Sequence, residues 1–174
     1  MKVTLDWLRK NGACSEGVNW FKSQDKSDLA KVVDSLMKQD HFQWANWTLV
    51  RFLDRQQKIQ YSIFAAEQVI NIFEKKYPDD KRPRKAIEAA KKCLEADTGE
   101  NRKASAAASA AAAADASFAD ASFAASAAAA SAASFAAALA AAAADARKKM
   151  REKLLKYGLD LLVKPPEKGE EPKK

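Results

Sequence analysis

The chain has 174 residues, a net charge of +7 and 48% apolar residues, of which a large share is Ala. Five Gly, five Pro and no persistent period-two run of β-branched residues argue against a β-sheet protein. One His and two Cys, with no CxxC and no HxxxH, leave almost no material for a metal site or a nucleophilic dyad.

The opening "MKVTLDWLRKNG" carries Asp6, Arg9 and Lys10, so no apolar leader core is expected. Thr4 suits a helix N-cap and Gly12 a helix stop, with Leu5, Trp7 and Leu8 between them. Ser15 caps a second short helix bearing Val18, Trp20 and Phe21. Ser27 caps a third, with Leu29, Val32, Val33, Leu36 and Met37 on one stripe. Asp40 opens a fourth, with Phe42, Trp44, Trp47, Val50 and Leu53 at core-like spacing. His41 stands in this aromatic stretch and is expected to be structural or exposed. "KIQYSIFAAEQVINIFEKKY" predicts one long amphipathic helix through Ile59, Ile63, Ala66, Val69, Ile70 and Phe73.

That helix must end at "YPDDKRPRK", because Pro78 disfavours a helical Tyr77. Pro83 suits the first turn of the next helix, where a missing N–H costs nothing. Residues 83–96 then form a connecting helix with Ile87, Ala90 and Leu94 inward. Asp97 and Glu100 have capping-box spacing at the entrance to the next segment.

Between Ala104 and Ala146 lie 29 Ala, seven Ser, three Asp, three Phe and one Leu. Ala has the highest helix propensity, and no Gly or Pro interrupts. An unbroken helix over residues 99–163 would run on the order of 95 Å at 1.5 Å per residue. A break is therefore expected near "ADASFADASFAAS", where Asp and Ser can cap a new helix. Residues 121–144 lack charge and are long enough to span a membrane. Yet Ala and Ser gain little on transfer, and Phe123, Phe135 and Leu139 add only about −0.3 to −0.6 kcal/mol each. No membrane span is expected. The Ser spacing is irregular, which removes an ice-binding lattice. Close helix packing remains, with axes at about 8 Å. A broad Ala face also suits a homodimer. The tail from residue 164 to 174 is Pro-rich, charged and without apolar content, and is expected to be disordered.

The predicted fold class is all-α, a compact multi-helix bundle with long, closely packed Ala-rich C-terminal helices. Residues 1–163 are expected to form a single domain, with 1–77 its amphipathic helices and 99–163 its Ala-rich ones. Cys14 and Cys93, in no redox or metal spacing, fit a reducing cytoplasm with no disulfide.

The blocks Tyr77–Ala90, "YPDDKRPRKAIEAA", and Thr98–Ala104, "TGENRKA", followed by the Ala tract, carry a resemblance. With "LRKNGACSEGVNWF" near the start, the sequence resembles the putative immunity protein family of bacterial and phage genomes over roughly residues 5–163. The tract carries Phe, Ser or Ala where that family often has Tyr. The resemblance implies an all-helical protein. It carries no residue-level mechanism.

No catalytic residue, cofactor or metal ligand is assigned. The segment Asp79, Asp80, Lys81, Arg82, Arg84 and Lys85 is the candidate partner-binding edge, weighed against plain helix capping and ion pairing. Arg147, Lys148, Lys149 and Arg151 form a basic patch, weighed against a solvated helix end that opposes the dipole. The expected function is non-enzymatic: sequestering or inhibiting a protein partner, in the host cytoplasm where a phage encodes it. Nucleic-acid or nucleotide binding through the basic segments, and a structural homo-oligomer, are the alternatives.

Overall fold

The computed structural model describes residues 1–96, 98–105 and 144–163. The Ala tract from 106 to 143, Asp97 and the tail from 164 to 174 lie outside the described residues. So do the expected break, the close packing of the Ala-rich helices, and the disordered tail. Among the described residues the protein is all-α and multi-helical, with no strand. One isolated antiparallel bridge, Lys2 to Asp28, is the sole extended pairing among them. Contacts divide the chain into two compact units, Met1–Leu53 and a second beginning at Asp54.

The first unit holds α1 (Leu5–Lys10), α2 (Ser15–Lys22), α3 (Leu29–Lys38) and α4 (Phe42–Val50). Thr4 caps α1 as expected, its Oγ1 accepting from the Trp7 N–H at 3.1 Å. Gly12 ends it at φ +72°, and the Ala13 N–H reaches back to the Leu8 carbonyl at 3.0 Å. The next three helices begin one residue away from the expected cap. Cys14, not Ser15, caps α2, its Sγ accepting from the Gly17 N–H. Asp28, not Ser27, caps α3 through the Lys31 N–H. Asp40 does not cap α4. It sits at φ +59° and closes α3, with the His41 N–H bonded to the Leu36 carbonyl at 2.9 Å. His41 takes the cap position without a side-chain bond. For α2 and α3 the tertiary path of the loop decides which of two neighbouring polar residues faces the open N–H groups. α3 and α4 pack together, with Val33, Leu36, Ala45 and Leu49 buried, and the segment through Val3 is pinned by the Val3 N–H on the Ser27 carbonyl at 2.7 Å.

The second unit holds α5 (Arg55–Glu67), α6 (Ile70–Lys76), α7 (Arg82–Glu95), a helical stretch at 99–105, and α8 (Ala144–Val163). The single long helix expected over Ile59–Phe73 is two helices. After Glu67 the chain tightens: the Val69 N–H bonds to Ala66, three residues back, at 3.1 Å. Val69 and Ile70, at this turn, are both buried.

Asp54 and Gln57 form a reciprocal capping box at the start of α5. The core is Ile59, Ile63 and Ala66 of α5, Ile70 of α6, and Ile87, Ala90 and Cys93 of α7, with Leu94 packed against it. Fully buried Ala86 and Ala90 let α7 lie close on α5 at no rotamer cost.

The far side of α5 carries α8. Leu154 and Leu155 are buried, and Tyr157 stacks on Phe64 with centroids 3.9 Å apart. Gln57 Nε2 donates to the Leu161 carbonyl at 2.7 Å, and Lys153 Nζ to Gln68 Oε1 at 2.6 Å.

Candidate docking surface

α6 must stop where Pro78 follows Tyr77. Tyr77 leaves the helical region at φ −131°, ψ 72°, and the Asp80 N–H turns back to its carbonyl at 3.2 Å. α7 then starts at Arg82 with Pro83 in its first turn, as expected.

Two bidentate ion pairs fix this turn. Asp80 Oδ1 accepts from the Arg82 backbone N–H at 3.0 Å and from Arg82 Nε at 2.9 Å, while Oδ2 accepts from Nη2 at 2.7 Å. One carboxylate thus satisfies an open helix N–H and clamps a side chain two residues on. Arg84 Nε and Nη2 donate to Glu74 Oε1 and Oε2 at 2.5 and 2.6 Å, tying the start of α7 to α6. Planar guanidinium-to-carboxylate pairing is the most geometrically specific ion pair available to side chains. The Arg82 hydrogen bond holds the Asp80 carboxyl below its usual range, and the Arg84 hydrogen bond does the same for Glu74. Arg84 is raised in turn by Glu74. Lys91 and Glu67 add a pair at 2.6 Å between α7 and α5.

Of the six residues predicted for this edge, Asp80, Arg82 and Arg84 are thus engaged in pairing. Asp79 and Lys81 are exposed on the same turn, and Lys85 is exposed in the first turn of α7. Two contributors were not foreseen. Glu74 stands ten residues before Arg84, beyond any helical pair spacing, so only the turn brings them together. Tyr77 is 46% exposed, its ring tilted against Phe73 at 5.1 Å. An exposed Tyr between ion pairs is an interface feature that a helix stop signal conceals.

The second block is an interhelical clasp. Thr98 Oγ1 accepts from the Asn101 N–H at 3.1 Å and so caps the helical stretch, while the expected Asp97 cap lies outside the described residues. The Asn101 side chain donates to the Lys92 and Ala96 carbonyls at 3.2 and 2.7 Å, closing the end of α7. Cys93 Sγ lies 3.1 Å from the Asn101 carbonyl oxygen. The helical stretch ends its described part at Ser105, which is buried, with no hydrogen-bond partner for its hydroxyl among the described residues.

Arg147, Lys148, Lys149 and Arg151 lie on α8. Lys148 and Lys149 are exposed; Arg147 and Arg151, one turn apart, are partly buried. They do not sit at the C-terminal end of α8, where the dipole is negative: the helix runs on through Leu154, Leu155 and Leu159 to Val163, and its last turn holds no basic residue. Opposing the dipole is therefore not their role.

Cys14 and Cys93 are both free. Among the described residues no cluster of His, Cys, Asp or Glu could hold a metal ion, and no helix is long and apolar enough to cross a membrane.

The model of the Imm-5 like putative immunity protein family matches residues 48–153. Comparison with curated proteins and with solved structures found no match. The matched span contains the ion-paired turn and the Thr98–Ala104 clasp. The opening "LRKNGACSEGVNWF" lies before it. With more than half of its length matched, the chain belongs to the Imm-5 like putative immunity protein family.

Proposed function

We propose that this protein is a non-enzymatic, immunity-type binding protein that sequesters or inhibits a protein partner through the turn between α6 and α7. The carrying observation is the pair of bidentate bridges, Asp80–Arg82 and Arg84–Glu74, that hold an exposed charged turn in one conformation. A surface ordered before binding loses little entropy on association. Tyr77 supplies an aromatic anchor, and Asp79, Lys81 and Lys85 a charged rim that sets partner choice and encounter rate. In this reading the protein acts in the cytoplasm of the cell that makes it, or of the host where a phage encodes it.

The test is affinity capture from nuclease-treated host lysate with the wild type and a Lys81→Glu/Lys85→Glu variant. One stoichiometric protein is expected on the wild type and absent from the variant, at unchanged melting temperature. Tyr77→Ala is expected to weaken the purified complex at least about tenfold. Equal capture by both forms would remove the turn from the interface. Capture abolished by nuclease would move the function to nucleic acid and to Arg147, Lys148, Lys149 and Arg151. The homo-oligomer alternative rests on the Ala tract, and concentration-dependent self-association without a partner would favour it.

A further inference from the structure

We propose that the first unit binds a small, uncharged aromatic molecule in a cavity walled by Trp20, Trp44 and Trp47. This is independent of the α6–α7 turn and lies almost wholly outside the family match.

The cavity has a volume of about 290 Å³. That is near the lower end of small-ligand pockets, which begin at about 300 Å³, and suits a single ring system. None of its lining side chains carries a charge, although the protein as a whole is strongly basic. Leu8, Leu36 and the three indoles give apolar walls, and Thr48 contributes the sole hydroxyl among the lining side chains. Burying an ion against such walls is unfavourable, whereas a neutral ring with one hydrogen-bonding group fits both the apolar walls and Thr48.

The indoles are held by residues that do not line the cavity. Trp20 Nε1 donates to Gln39 Oε1 at 2.8 Å. His41 stacks on Trp44 with centroids 4.4 Å apart. The Arg51 guanidinium lies 3.7 Å over the Trp47 ring and donates to the Trp47 carbonyl. Each wall is positioned from behind, so the site is organised before ligand arrives. Arg51 also occupies the cation site of Trp47. With no carboxylate in the lining, a quaternary ammonium ligand is disfavoured.

The experiment titrates the full chain, labelled with 15N at its four Trp, with 2-naphthol, naphthalene and choline. Saturable one-to-one shifts of the Trp20, Trp44 and Trp47 indole N–H signals are expected with the two ring compounds and none with choline. Thr48→Val is expected to weaken 2-naphthol about fivefold and leave naphthalene unchanged, the loss of one hydrogen bond. Val32→Phe, which fills the cavity, is expected to abolish both. Ala13→Leu at the half-buried rim is expected to weaken both and keeps the test open should Val32→Phe fail to fold. No saturable shift up to 1 mM ligand, or choline binding as well as 2-naphthol, overturns the proposal. So does a shift of the same signals with protein concentration alone, which would make a second copy the occupant.

Discussion

Gly12 and Asp40 do the same job with different residues. Both sit at positive φ just past a helix end, at +72° and +59°. A Cβ on Gly12 would meet nothing within 4 Å, so any penalty for Gly12→Ala is conformational and not steric. We expect a loss of about 1–2 kcal/mol in urea unfolding. An unchanged midpoint would mean that the turn can relax. Ser105 makes the opposite case. Its hydroxyl is buried without a partner among the described residues, so Ser105→Ala should raise stability by about 1 kcal/mol. A loss of stability would reveal a hydrogen bond beyond those residues. Glu74 and Asp80 titrate below the usual carboxylate range because each accepts from an Arg. Their stabilising contribution is therefore complete above the unfolded value, about pH 4, and is lost as pH falls through the depressed folded values. Glu74→Gln/Asp80→Asn should flatten the dependence of melting temperature on pH in that acid range. An unaltered acid slope would show that these bridges do not contribute to folding.

At the scale of elements, the Gln57 side chain joins the start of α5 to α8. Its Oε1 accepts from the Asp54 N–H at 2.9 Å, its Nε2 reaches the Leu161 carbonyl, and its own N–H is capped by Asp54. Gln57→Ala is expected to cost about 1–3 kcal/mol, more than an exposed cap alone. Gln57→Glu should recover the box but not the bond to Leu161, which separates the two contributions. The five-residue turn from Tyr77 to Lys81 was legible because Pro78 and Pro83 bracket it. The split between α5 and α6 was not, because Val69 and Ile70 fit a continuous apolar stripe nearly as well as they fit a turn. Cap identity slipped by one residue at Ser27 and Asp28 because both are good caps and local chemistry does not rank them, whereas Asp40, the better cap by chemistry, is taken up in closing α3 at positive φ and leaves His41 at the cap position without a side-chain bond.

At the scale of the molecule, all four Trp belong to the first unit and the family match to the second apart from its first six residues. Leu49 is fully buried in the first unit, so Leu49→Ala should lower stability read by Trp fluorescence by about 2–5 kcal/mol. The net charge of +7 is spread over both units and is partly paired at α7. A four-contact phosphate site on α8 would give a log–log salt slope of roughly −3.6.

Sequence periodicity determined the all-α class, because 3.6-residue stripes with capping residues admit no other regular structure. It also determined the turn at Pro78 and the inward face of α7, both set by local sterics and by which side is apolar. The tertiary structure alone decided that Arg84 meets Glu74, that Asn101 closes α7, and that three indoles surround one cavity. Those contacts join residues on different helices, and their geometry follows from how the helices pack.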